Sequence, residues 1–147
     1  MNIINIRPLE SSDFDKWLLL WDGNNLGERN EEVTTKTWSR LIDVSNTQVN
    51  GLAAERNGEL LGIAHYILHP TTGQINPVCY MQDVYVAPPH RRKGIGKRLV
   101  DKVTKIGAKE SWARMYWLTA SDNLEAKAMY ENFGVRLDFT FYVLPIS

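Results

Sequence analysis

The chain has 147 residues, 44% hydrophobic and 23% charged, an ordinary globular balance that can bury one core but not two, so a single domain over residues 1–147 is expected. Lys plus Arg equals Asp plus Glu at 17 each, so no global field draws the protein to nucleic acid or to a membrane surface. The one cysteine, Cys79, rules out an intramolecular disulfide and lacks the spaced partners of a zinc site. With no basic-then-apolar leader and no membrane-length apolar run, the expectation is a cytoplasmic protein without a metal.

In chain order, residues 3–7 read as a short strand, after which Ser11 or Ser12 caps a helix whose Phe14, Trp17, Leu18 and Trp21 share one face. Gly23 and Asn24 end it. A second helix is expected to start at Thr34 or Thr35 and to bury Trp38, Leu41 and Ile42. Residues 49–55 and 60–68 flank Asn57-Gly58, a dipeptide that favours a two-residue hairpin turn. After the loop at Pro70 to Gly73, residues 78–86 form a strong strand, and Pro88-Pro89 terminates it because proline has no N–H for the ladder.

The next helix places Ile95, Leu99, Val103 and Ile106 at helical spacing, while Lys97, Arg98, Asp101, Lys102 and Lys105 face elsewhere. Residues 115–120 read as a strand. Ser121 or Asp122 then caps a helix through Asn132 that Gly134 stops, and residues 136–144 supply one bent or two short final strands.

The run Arg91-Arg92-Lys93-Gly94-Ile95-Gly96 lies between strand and helix. Its glycines let the backbone approach a ligand, and a helix N-terminus adds unpaired amide donors and a favourable dipole for phosphate. His90, Arg91, Arg92, Lys93, Lys97 and Arg98 concentrate cationic side chains there. A Rossmann loop is disfavoured, since no Gly-x-Gly-x-x-Gly run with a downstream acid is present. A nucleic-acid patch is weaker still without aromatic interleaving.

Arg91, Gly94 and Gly96, followed by Asn123, Ala126, Tyr130, Phe133 and Gly134 after Tyr116-Trp117-Leu118, resemble the two ordered motifs of the GNAT superfamily of acetyl-coenzyme A dependent N-acetyltransferases. The stretches 17–21, 79–86 and 116–119 are similar to a branch that includes the yeast histone and polyamine acetyltransferase-like enzymes. The resemblance implies an α/β (α+β) fold: a mixed, strongly twisted sheet splayed between its fourth and fifth strands and flanked by about four helices. It also implies that the pantetheine arm of acetyl-CoA enters the splay and bonds backbone groups of Val84, Tyr85 and Val86. Arg91, Arg92, Lys93, Gly94, Ile95, Gly96 and Lys97 would hold the pyrophosphate, and Asn123 and Ala126 would flank the cofactor. The C-terminal strands exchange between subunits in several members of the family, which makes a homodimer the expectation.

For the reaction, Tyr130 is the proposed proton donor to the leaving thiolate. Asp83 is the second catalytic residue, as a base acting through water, an amine anchor or a paired structural acid. The acceptor would be a primary amine of a small molecule or peptide, attacking directly in a ternary complex. Gln82 stands where polyamine acetyltransferases of the superfamily carry a glutamate, which argues against a polyamine. Glu28, Glu31 and Glu32 are either a recognition site for a second positive charge or a solvated acidic run. His65 and His69 share a strand face by period-two alternation and receive no role. Two other readings are a non-catalytic acetyl-CoA sensor and an interaction subunit that uses Trp17, Trp21 and Trp38 to meet a partner.

Overall fold

The alternating apolar positions between residues 49 and 69 fold into the central hairpin of a sheet. In the computed structural model, which describes residues 3–146, β2 (Val49–Arg56) and β3 (Glu59–His69) pair antiparallel. Asn57 and Gly58 turn between them with φ of 52° and 81°, the two positive values of a type I′ turn. β1 (Asn5–Pro8) joins β2 antiparallel, and β4 (Val78–Val86) joins β3 in the same sense. β5 (Arg114–Tyr116) runs parallel to β4, giving a mixed sheet in the order β1-β2-β3-β4-β5. Four helices complete the expected α/β architecture: α1 (Phe14–Asn24), α2 (Glu31–Ile42), α3 (Ile95–Glu110) and α4 (Leu124–Tyr130). The chain divides into two compact units, one ending at Trp117 and one beginning at Leu118.

In the first unit the sheet has a core on each face. On one side Trp17, Trp21 and Trp38 from α1 and α2 meet Ile63 and Ala53, and on the other Ile95, Leu99 and Val103 from α3 meet Leu52, Leu61 and Cys79. Trp17 stacks on Trp21 at 5.1 Å and packs against Trp38 at 4.8 Å. Burying a ring of this size removes roughly 200 Å² from water, an upper bound of about 5 kcal/mol. These tryptophans therefore build the core, which removes the basis for an interaction subunit that presents them to a partner.

Both N-terminal helices start differently from the sequence expectation, because side chains other than serine and threonine cap them. The chain enters α1 through a 3-10 turn over Ser11–Asp13, where the Asp13 carboxylate accepts the Glu10 N–H at 2.8 Å. Arg7 donates to the same carboxylate at 2.8 and 2.9 Å and also to Glu55. α2 begins at Glu31, ahead of Thr34, because Asn30 Oδ1 accepts the Val33 N–H at 3.0 Å. Thr34 is instead buried, and its hydroxyl accepts from Trp21 Nε1 at 2.8 Å.

The C-terminal expectations are corrected in three places. β5 stops at Tyr116, short of residue 120, since its ladder with β4 ends at the Tyr80–Tyr116 pair. In the second unit α4 is capped by Asn123, whose Oδ1 accepts the Ala126 N–H at 3.1 Å, and it ends at Tyr130, before Asn132. Residues 136–144 form no strand among the described residues. Their alternation specifies a surface to be covered, not a hydrogen-bonding partner, and Phe139, Tyr142 and Leu144 are all more than 80% exposed.

Candidate functional site

Within the first unit, the outer edge of β4 has no strand pairing beyond Tyr80. Its pairing with β5 covers Val78 to Tyr80, so within the first unit residues 81–86 have no strand neighbour on that side. On the inner side Ala87 N–H donates to Leu61 O at 2.9 Å, and Tyr85 lies opposite Ile63. Antiparallel alternation then turns the main-chain groups of Tyr85 into the β3 ladder and those of Val84 and Val86 outward. The expectation that all three would offer their backbone to a ligand is thereby narrowed to two. The Tyr85 ring lies over α1, where a Cβ on Gly23 would run into its hydroxyl.

A bulge lies just before this edge. His65 faces Asp83 and Tyr66 faces Met81, leaving Gln82 as the extra residue of β4. It resets the alternation, so that Asp83 and Tyr85 point toward α1 while Val84 and Val86 pack on the α3 side. Without the extra residue Asp83 would share a face with Cys79 and Met81, in the core under α3.

Past the end of β4 the basic loop leads into α3. Gly94 has φ of 81°, a left-handed conformation that an L side chain adopts only at a cost of about 1 kcal/mol or more. A Cβ there would touch nothing within 4 Å, so the space beside it is open. The first helical bond runs from Arg98 N–H to Gly94 O at 3.1 Å, which leaves the amides of Ile95, Gly96 and Lys97 without helical acceptors. Ile95 contributes only its amide, because its side chain is buried in the core. Arg92, Lys93 and Lys97 are exposed. Arg91 is tied down: its Nε donates to Val86 O at 2.8 Å and its guanidinium lies 5.2 Å from the centre of the Tyr85 ring. Three unpaired amides, a helix dipole and cationic side chains beside open space suit a pyrophosphate.

On the α1 side, the structure adds partners to Asp83 that the sequence did not reveal. His65 Nδ1 lies 2.9 Å from Asp83 Oδ2, Asn24 Nδ2 donates to Oδ1 at 3.1 Å, and Trp17 Nε1 donates to His65 Nε2 at 3.1 Å. The side chains of His65 and Asp83 are 5% and 21% exposed. Burial pushes the Asp83 carboxyl up, but His65 and Asn24 together outweigh it and hold the group below the usual carboxylate range. Among the described residues, no Lys or Arg forms an ion pair with it. The same sheet face carries Tyr80, stacked on Tyr116 at 5.0 Å, and Tyr116 reaches His69 Nε2 through its hydroxyl at 2.8 Å.

The remaining sequence candidates divide as follows. Glu31 is paired with Arg29 at 3.0 Å, which also holds Asp22, while Glu28 and Glu32 are exposed. Cys79 is fully buried, and burial pushes its thiol up to about 12, well above the range of a reactive thiolate. In the second unit, Asn123 spends its side-chain oxygen on the α4 cap, Ala126 is half-buried in the first turn, and Tyr130 is half-buried at the last position of the helix.

A sequence model of the acetyltransferase (GNAT) family matches residues 12–135. The chain is 30% identical over 143 residues to a D-amino-acid N-acetyltransferase of Saccharomyces cerevisiae, covering 95% of this chain and 89% of that protein. It is 28% identical over 144 residues to an aminoglycoside N(6')-acetyltransferase of Acinetobacter baumannii, covering 89% and 90% of the two chains. Among solved structures, an aminoglycoside N-acetyltransferase in complex with CoA superposes with a TM-score of 0.83 at 17% identity, over 99% of this chain and 97% of that one. A ribosomal-protein-alanine N-acetyltransferase from Brucella melitensis superposes with a TM-score of 0.81 at 20% identity, over 98% and 100%.

Proposed function

Because the chain belongs to the acetyltransferase (GNAT) family, we propose that it transfers the acetyl group of acetyl-CoA to a primary amine of a small molecule, with Asp83 as the anchor of the acceptor ammonium. One observation carries the reading. Within a few residues β4 offers outward main-chain groups at Val84 and the outward N–H of Val86, whose carbonyl accepts from Arg91, a carboxylate at Asp83 on the α1 face, and an anion-binding helix start beyond its end. The amides of Ile95, Gly96 and Lys97, with Arg92 and Lys93, would hold the pyrophosphate, and the outer edge of β4 the pantetheine arm.

Of the three roles open to Asp83, the anchor has the best support. An alkylammonium near about 10.4 and an ordinary side-chain carboxylic acid near about 3.9 differ by more than about 6 units, and Asp83 lies on the acid side of that ordinary value. Direct proton abstraction by this carboxylate is therefore steeply uphill. Releasing that proton to solvent at neutral pH costs roughly 4–5 kcal/mol from the pKa gap, so Asp83 holds the ammonium and the proton leaves to bulk solvent. A structural acid would have a Lys or Arg partner, and the partners of Asp83 are one neutral amide, that of Asn24, and the imidazole of His65.

The free amine then attacks the thioester carbonyl. A C–N bond forms, the C–S bond breaks, the coenzyme A thiolate takes a proton for which Tyr130 is our proposed donor, and the proton that leaves the acylated nitrogen returns to the Tyr130 oxygen through solvent. The relatives are named for acetylating D-amino acids and aminoglycosides, and we extend that acceptor chemistry to this chain. We further propose one working domain, since the family match runs across the boundary between the two units. A cytoplasmic enzyme is part of the same proposal. So is a homodimer in which the exposed apolar side chains of residues 136–146 are covered by a second copy, and sedimentation velocity tests it: a clean monomer at high concentration removes that part. The activity itself is tested by free-thiol release from acetyl-CoA over a panel of D- and L-amino acids, aminoglycosides, polyamines and lysine peptides. Saturable release with a small-molecule amine is expected. Release with peptides alone would move the acceptor class, and no release with any of them would remove the assignment.

A further inference from the structure

Resting on the reading of Asp83 as the ammonium anchor, we propose that Trp17 and His65 are positioning residues for acetyl transfer. The indole N–H of Trp17 fixes His65 as its neutral Nδ1–H tautomer, and that N–H aims the Asp83 carboxylate and leaves its whole negative charge for the acceptor.

The argument is one of valence. An indole nitrogen can only donate, so His65 Nε2, 3.1 Å from Trp17 Nε1, must present its lone pair. The single proton of a neutral imidazole then sits on Nδ1, where it is donated to Asp83 Oδ2 at 2.9 Å. Forming the imidazolium would set two N–H groups against each other in a place without room for either to turn away. Trp17 is fully buried and held between Trp21 and Trp38, and the His65 side chain is 5% exposed. A histidine beside a half-buried carboxylate would otherwise be a natural proton acceptor, and the resulting ion pair would neutralise the acid internally. Trp17 prevents this.

Asn24 completes the arrangement by donating to the other carboxylate oxygen at 3.1 Å. It is the last residue of α1, so the same helix orients Asp83 directly through Asn24 and indirectly through Trp17. The titratable groups facing Asp83 are His65 from β3 and Tyr80 from β4, with Tyr116 of β5 next to Tyr80. From α1 come Asn24 and Trp17, which do not titrate, while Asp22 of that helix is turned to Arg29.

The tautomer can be read without knowing the acceptor. Long-range proton–nitrogen correlation spectra of the nitrogen-labelled full chain at neutral pH, with the His65 signals identified by their loss in His65→Gln, should show the Nδ1–H tautomer. In Trp17→Phe, which removes the indole donor and keeps a ring in the core, the Nε2 signal should lose its hydrogen-bond shift and the tautomer should no longer be fixed. An imidazolium or an Nε2–H tautomer in the unmodified protein overturns the proposal. With a verified acceptor, His65→Leu should lower kcat/KM roughly 10- to 100-fold, mainly through KM, and leave acetyl-CoA affinity unchanged. It should also move the acid limb of the profile to higher pH, since burial of Asp83 is then opposed only by Asn24. His65→Gln, whose amide can accept from Trp17 and donate to Asp83, should restore most of the loss. An unchanged kcat/KM in Asp83→Asn would overturn the anchor reading itself. A loss there combined with an unmoved acid limb in folded His65→Leu overturns the positioning role alone.

Discussion

Two acids in the first unit, one buried and one half-buried, are held in opposite ways. Asp13, at the entrance to α1, receives two hydrogen bonds from Arg7, so its charge is cancelled within the protein. Asp83, beside the β4 bulge, receives its hydrogen bonds from Asn24 and His65, which orient it as dipoles and leave its charge in place. Both carboxyls are held below the usual carboxylate range. For Asp13 the first cause is the Arg7 bond, whereas for Asp83 the first cause, burial, opposes the shift, and His65 and Asn24 produce it. A low pKa is therefore not by itself a sign of function. What separates a structural acid from a site for an external cation is whether the group that stabilises its charge is itself charged.

The strongest way to break this distinction is Asp83→Asn. Loss of the anchor should reduce kcat/KM by roughly 10²- to 10⁴-fold, with the dissociation constant of acetyl-CoA unchanged by calorimetry. Stability should move by only about 1–2 kcal/mol, since one amide–donor clash replaces one hydrogen bond. A variant that loses Tm as sharply as activity would make Asp83 a structural acid after all.

Asp13→Asn should show the reverse pattern. It leaves Arg7 underpaired in a site where the Asp13 side chain is 6% exposed, and such losses run to about 3 kcal/mol or more. For a chain of this length that lowers Tm by roughly 6–12 °C, with activity per folded molecule retained. The pH dependence follows from the sign of the shift. A carboxyl lowered on folding stabilises the native state fully above its unfolded value of about 3.9, and that contribution is lost as pH falls through the folded value. Calorimetric scans from neutral pH downward should show the gap in Tm between the parent and Asp13→Asn closing in acid.

Tyr130 and Gly94 extend the test to groups outside the two acids. Removing the phenol oxygen in Tyr130→Phe should cut turnover by roughly 10²-fold or more, as for lost acid catalysis, while leaving acetyl-CoA affinity intact. Unchanged turnover with a verified acceptor would make water the donor. Gly94→Glu should do the opposite, weakening acetyl-CoA by roughly 10- to 100-fold because it places a carboxylate at the anion site and strains a left-handed backbone. Undiminished affinity in a folded variant would remove the loop from the cofactor site.

These residues also mark what the sequence makes legible. The Asn57-Gly58 turn, the β4 strand and the spacing of Ile95, Leu99 and Val103 are local signals, and each element formed where it was expected. The loop glycine was readable for the same reason, because a positive φ is a property of one residue. The Asp83 pocket was not. Its donors lie 18 and 59 residues from Asp83 in the chain, and Trp17 lies 48 from His65, so no window of sequence contains the arrangement. Alternation placed His65 on a face, but only the packing of α1 on the sheet supplied the indole that decides its tautomer. Residues 136–144 mislead for a related reason: alternation describes side chains, whereas a strand also needs a neighbour with free backbone groups.

The smallest expected effect sharpens the account of Asp13. Arg7 also donates to Glu55 through Nε at 2.9 Å and through Nη2, so the cation that neutralises Asp13 is shared with a second acid. The Glu55 side chain is 29% exposed against 6% for Asp13, so water screens its charge and can replace its contact. Glu55→Gln keeps an oxygen that can accept from Nε and leaves the two bonds to Asp13 in place. Its cost should therefore stay below about 1 kcal/mol, a Tm shift of no more than roughly 4 °C. If Glu55→Gln instead destabilised as much as Asp13→Asn, the three side chains would act as one unit. The excess negative charge would then lie on the Arg7 cluster too, and charge excess alone could not single out Asp83 as the place where an external cation is missing.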